Sequence, residues 1–305
     1  MSTLTASRLV LSGLLFLTIG FASRADAADY AKSYSVTGHP TVRVNTDDGT
    51  VRIVSSNTHQ VEFRVHSEGS NFGVGFGGLH IDSHQNGDTV ELEARSGHWG
   101  IGVKTVRMSI EVRMPEDADL QLETSDGSID MSSLKGKITA HTSDGSISAS
   151  RLSGTINLSS SDGSIQVEEL KGDIRLRTSN GSVGATHLDG RCQASSSDGG
   201  INVTGRFDAL DINSDNGGVR ARVESGSTMT SPWHIRTADG SINIAVPTDF
   251  KTNIDASTSD GHITVDLPVL MQGNVSKSHL RGALNGGGES MLIRTADGSI
   301  HLSGT

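Results

Sequence analysis

Sulfur, proline and aromatic rings are nearly missing from this chain. Of its 305 residues one is cysteine, five are proline, and aromatic residues make up 4%. A lone cysteine, Cys192, excludes an internal disulfide, so stability has to come from packing and backbone pairing. Beyond the first 27 residues no apolar run is long enough to cross a bilayer as a helix. Helical periodicity is absent too. Short alternating runs broken by Gly and Asp-Gly, with 37 glycines in all, read as all-β. Positive charge is also in deficit. The formal net charge is −10, which argues against nucleic acid or anionic lipid as a partner.

What is present first is a leader. Arg8 is a positive start, Leu9 to Phe21 is a short apolar stretch, and Ala25-Asp26-Ala27 is a small-x-small cleavage site. Residues 1–27 are therefore expected to be a signal peptide, with export to periplasm, surface or medium. Its loss would remove Arg8, Arg24 and Asp26 and leave a net charge of about −11. No transmembrane span is expected after it.

What is present next is a phrase. Thr124-Ser125-Asp126-Gly127-Ser128-Ile129 returns at Thr142–Ile147, Ser160–Ile165, Thr178–Val183, Ser196–Ile201 and Ser214–Val219, each step 18 residues. A fixed period of this size marks stacked units that cannot bury their apolar faces alone. Like residues then fall into columns: Ile138, Ile156, Ile174 and Cys192; Leu134, Leu152, Leu170 and Leu188; Ile147, Ile165, Val183 and Ile201. The expected fold is a single-chain parallel β-solenoid with about 18 residues per regular coil. Cys192 reads as a buried small hydrophobe of its column. Asp-Gly is expected to turn the chain because glycine accepts positive φ. Thr124, Thr142, Ser160, Thr178 and Ser196 are expected to point inward and satisfy turn amides.

The organisation follows. Residues 28–115 are an irregular β-rich part or cap, with a glycine-rich loop at Asn71–Gly78. Residues 116–305 are the repeat solenoid, regular over 120–224 and looser over 233–305. The looser copies start at Thr237, Thr258 and Thr295, after spacings of 23, 21 and 37 residues. The insertion at Ser276–Glu289 is expected to protrude as a loop.

The repeat pattern, the lead-in Val112-Arg113-Met114-Pro115 and the tail Leu284-Asn285-Gly286-Gly287-Gly288 before Ile293–Ile300 resemble the DUF4097 family of bacterial candidate adhesins. The resemblance covers residues 36–302. It implies a β-solenoid exported or membrane-associated in bacteria, and it brings no catalytic motif.

Chemistry-bearing residues are few. Asp126, Asp144, Asp162 and Asp198 should stack along one edge, with Asn180 and Asn216 in the same column. Stacked carboxylates could take calcium, or Asp and Asn could simply be good turn formers. His80, Asp82 and His84 share strand parity, with His66 and His98 near in sequence, and could hold zinc or line an exposed polar face. Phe72, Phe76 and Trp99 could form a contact patch. No catalytic residue and no cofactor are expected. Three functions compete: a non-enzymatic envelope or surface binding protein for an envelope protein or glycan, a polysaccharide-acting β-helix enzyme, and a self-assembling scaffold.

Overall fold

The computed structural model describes residues 26–74, 79–96, 101–271 and 276–305. The expected signal peptide lies outside these residues except for Asp26 and Ala27, and Phe76, His98 and Trp99 lie outside them as well.

Among the described residues every regular element is a strand. The chain begins with β1 (Asp26–Ser35), β2 (Thr41–Thr46), β3 (Thr50–Ser56), β4 (Gln60–Val74), β5 (Leu79–Asn86), β6 (Thr89–Ser96) and β7 (Ile101–Pro115). In β2, Val42 and Val44 are buried while Arg43 and Asn45 are exposed. That is the period-two signature of a pleated strand with one wet face. The glycine-rich stretch expected to loop at 71–78 instead continues β4 through Val74, paired antiparallel with β7. Ladder hydrogen bonds need only backbone groups, so glycine content alone does not end a strand.

The regular array is β8 (Asp119–Thr124), β9 (Ile129–Thr142), β10 (Ile147–Ser160), β11 (Ile165–Arg177), β12 (Val183–Ser196), β13 (Ile201–Ser214) and β14 (Val219–Val223). Consecutive members pair in parallel at the register the period sets, except that β13 slips by one residue against β12 from Leu188 to Gly190. Ile147 lies between Ile129 and Ile165, Leu152 between Leu134 and Leu170, and Ile156 between Ile138 and Ile174. All nine are buried in one continuous core. Cys192 lies between Ile174 and Leu210, fully buried.

Each long strand bends once between two arms. The bend starts at a left-handed residue: Ser133, Arg151, Glu169 and His187 have φ between 53° and 58°. Each costs on the order of 1 kcal/mol or more for a residue with a Cβ. The step throws the following leucine into the core, where Leu134, Leu152, Leu170 and Leu188 are 0–2% exposed. Burying a leucine returns about 1.5–3 kcal/mol, enough to offset the strain. Gly154, with φ of 118°, completes the bend.

The Asp-Gly turns correct one expectation. Gly145 is not in the positive-φ region. A Cβ there would sit 2.0 Å from the carbonyl oxygen of Gly127 in the previous coil. In the regular coils glycine is needed for close stacking and not for a left-handed turn, whereas Gly49, Gly240 and Gly298 of the outer Asp-Gly turns do have positive φ, 103°, 155° and 155°. The hydroxyl column does what its parity predicts. Thr142 Oγ1 accepts from Gly145 N at 3.1 Å and donates to Gly127 O at 3.0 Å. Ser160, Thr178 and Ser196 repeat both bonds one coil later each.

The remaining strands are β15 (Trp233–Thr237), β16 (Ile242–Val246), β17 (Thr252–Asp260), β18 (Ile263–Val265), β19 (Val269–Met271), β20 (His279–Leu284), β21 (Ser290–Asp297) and β22 (Ile300–Gly304). Their order in space is not their order in sequence. β21 pairs with β15 on one side and β17 on the other, and β22 lies between β16 and β18. The coil at 290–304 is therefore slotted between the coils at 233–246 and 252–265. The hydroxyl ladder follows the same path: Thr295 Oγ1 donates to Gly240 O and Thr258 Oγ1 to Gly298 O. The segment expected to protrude at Ser276–Glu289 contains β20, which is antiparallel to both β17 and β19. It covers an edge that would otherwise be open to other chains.

The N-terminal end repeats the device. β2 lies between β6 and β8, and β3 between β7 and β9. The first coil is thus enclosed by a later one. Beyond it β4 and β1 add antiparallel strands on one sheet and β5 on the other. The two edges are tied together where the Tyr30 and Tyr34 hydroxyls meet Ser83 Oγ at 2.5 and 2.6 Å.

Candidate functional site

The turn column assembles as the repeat predicts, on the exposed edge of the stack. Asn180 Nδ2 donates to Asp162 Oδ1, and Asn216 Nδ2 to Asp198 Oδ1, so amides relieve half of the column. The carboxylates cluster at the other half. Asp126 shares a hydrogen bond with Asp48 and faces Asp144, and these push its carboxyl above the ordinary range. The zinc candidates His80, Asp82 and His84 share the exposed face of β5. His84 lies 3.4 Å from Glu91 and 3.9 Å from Asp82. Among the described residues no three His, Cys, Asp or Glu side chains are grouped so as to hold a metal ion. Burial pushes the Cys192 thiol up to about 12, which keeps it protonated and unreactive at neutral pH.

One ionic contact has no signal in the repeat. His39 Nδ1 lies 2.9 Å from Asp117 Oδ1, and its Nε2 2.9 Å from Asp119 Oδ1. Hydrogen bonding to Asp119, then to Asp117, raises the imidazole above its usual value. Partial burial alone would raise Asp119, but the bonds from His39 and from the Lys137 backbone N–H hold it low. The contact ties the entry to the first coil to the start of the regular array.

The side faces carry the concavities. The longest runs across successive coils of one sheet, about 530 Å³ in volume. Two outward columns line it, Arg52, Asp130, Ser148, Gln166, Gly184 and Asn202, and beside them Val54, Ser132, Ser150, Glu168 and Thr186, with Ile53, Met131, Ala149, Val167 and Ala185 between them. Its charges are sparse. Arg52 is 4.0 Å from Asp130 at one end, and Glu168 is 3.8 Å from His187. The opposite sheet has a depression of about 480 Å³ among Asn157, Arg175, Arg177, Gln193 and Asp211. There Arg175 donates to Gln193 and to the neighbouring Asp173. A third, of about 640 Å³, lies beside Asp126 between His66, Glu68 and Arg107.

The long groove is legible only after the coils are aligned. Ser148, Ser150 and Gly184 are small where Gln166 and Glu168 are large, and that contrast of size between rungs makes the hollow. No single segment of sequence displays it.

Comparison with known proteins places this arrangement. A family model described as Toastrack DUF4097 matches residues 39–303. No curated protein matches the chain. Several solved structures resemble it, three of them as follows. A candidate adhesin of Parabacteroides merdae has 11% identity over 91% of this chain and 96% of that one, with a TM-score of 0.43. A candidate adhesin of Bacteroides fragilis has 13% identity over 91% and 97%, with a TM-score of 0.39. A candidate lipid-binding protein of Parabacteroides distasonis has 10% identity over 91% and 96%, with a TM-score of 0.38.

Proposed function

The chain belongs to the Toastrack DUF4097 family, and from that premise we propose that it is an exported, non-enzymatic binding scaffold of the bacterial envelope or surface. The observation that carries this reading is the long polar groove. Its side chains stand on backbone columns held in register by parallel pairing, so the surface is rigid before any partner arrives. Adhesin-like relatives and the leader-like residues 1–27 support the same reading.

The test has two parts. Expressed from Met1 in a bacterium, the protein should leave the cytoplasm and begin near Ala28, as N-terminal sequencing would read. Immobilised, it should retain an envelope component from detergent extracts and release no reducing ends from polysaccharide. A chain that stays cytoplasmic with residues 1–27 attached, or that cleaves polysaccharide, would sink the proposal.

A further inference from the structure

We infer that the long groove binds an uncharged, extended, β-1,4-linked polysaccharide, with one sugar facing each coil. This rests on the binding-scaffold reading and names the ligand class of that same site.

The first argument is unspent hydrogen-bonding capacity. Among the described residues, the side chains of Ser148, Ser150, Gln166, Thr186 and Asn202 make no hydrogen bond, yet all line one groove. Hydroxyls and carboxamides both donate and accept, and so does a sugar hydroxyl. The depression on the opposite face differs in charge, with Arg175, Arg177 and Asp211 on its lining and Arg175 bound to Gln193 and Asp173.

The second argument is repeat distance. Parallel strands are spaced about 4.8 Å apart, so the rungs from Asp130 to Asn202 extend about 19 Å along the stack. An extended β-1,4-linked pyranose chain advances by about one such spacing per sugar. Successive sugars of such a chain alternate in facing, so with closely matched periods each sugar meets one rung and the same sugar face recurs at every second rung.

The third argument is charge. The one cation on the lining, Arg52, lies 4.0 Å from Asp130, and Glu168 is a second carboxylate there. An acidic polymer would meet two carboxylates against a single guanidinium. The lining also has no exposed large apolar side chain. The one such side chain among the described residues, Leu270, lies elsewhere, on β19. A protein partner would lack an anchor pocket.

Gly184 shapes the floor. A Cβ there would meet Gln166 Oε1 at 2.1 Å, so the Gln166 carboxamide occupies space that only a glycine on the next rung leaves open.

Calorimetry with cellohexaose, chitohexaose and hexagalacturonate tests the assignment. The full chain should bind at least one of the two neutral hexamers, nearly unchanged between low and high salt, and should not bind the acidic one. Ser148→Phe, which fills the groove, should weaken binding at least tenfold and Gln166→Ala at least threefold. Asn157→Phe, on the opposite face, should have no effect. Should Ser148→Phe not fold, Gln166→Ala carries the test alone. Binding to hexagalacturonate as tight as to a neutral hexamer would overturn the assignment. If neither neutral hexamer binds but Ser148→Phe abolishes capture of an envelope component, the polysaccharide assignment falls and the scaffold reading stands. If capture survives every groove variant, the groove is not the site and the polysaccharide assignment falls, while the scaffold reading stands on another face.

Discussion

The five regular coils and the two ends of the stack solve one problem in different ways. In the middle, every rung has an identical neighbour above and below, and spatial order copies chain order. At the ends there is no neighbour to copy. There the chain places a later coil outside the first one, and slots the coil at 290–304 inside an earlier one. Antiparallel strands then finish each edge. Repetition stabilises the interior of a solenoid, and rearranged order protects its ends.

The largest effect should come from removing the slotted coil. A chain ending at residue 289 leaves β17 without its parallel partner, and residues 252–284 should lose hydrogen-exchange protection together. Removing residues 26–35 instead takes away β1, which pairs only with β4. The rest should keep its protection. Equal responses to the two truncations would erase the contrast drawn between inner and outer segments.

Next in size is glycine in the middle against glycine at the end. Gly145→Ala drives a Cβ to 2.0 Å from a backbone carbonyl and should cost about 3 kcal/mol or more, or prevent folding. Gly286→Ala meets nothing within 4 Å and pays only for its φ of 89°, about 1 kcal/mol. Urea midpoints would separate them.

The hydroxyl ladder should give an intermediate loss. Thr142→Val leaves Gly145 N and Gly127 O without their partner inside the stack, at about 1–3 kcal/mol. Thr142→Ser keeps both bonds and should recover most of it. A Thr142→Val variant as stable as wild type would show that the hydroxyl does not matter.

Smallest is the pH response of the N-terminal junction. His39 has a raised folded-state value, so its contribution is complete below about 6.5 and fades as pH rises through the folded value. Asp119 works the other way, contributing above the ordinary carboxyl value and fading in acid. The imidazole is 44% exposed, so the effect should stay below about 1 kcal/mol. The stability gap between wild type and His39→Gln should shrink from pH 6 to pH 9; a gap that widens would refute the contact's role.

These contrasts mark what a reader of the sequence could see. Ile138, Ile156 and Ile174 could be aligned because a strict period leaves one register that buries them all. The inward hydroxyls followed from the same parity. The slotted coil could not be read, because Thr237, Thr258 and Thr295 open near-identical phrases that fit the ladder in any order. β20 was hidden because Gly286 to Gly288 looked like the middle of a loop. His39 gave no signal, since its partners lie 78 and 80 residues away. The groove needs the sizes of Ser148, Gln166 and Gly184 compared across rungs, and a linear reading does not make that comparison.

The slotted coil also governs timing. A polypeptide leaving the ribosome in order presents residues 252–284 well before residues 290–304. Until the later stretch arrives, the earlier one has only its own antiparallel pairings, β17 with β20 and β20 with β19, and no parallel partner to join it to the stack. Completion of this fold is therefore a late insertion and not a steady growth from one side, and a stall in synthesis near residue 289 would release a half-built, adhesive edge.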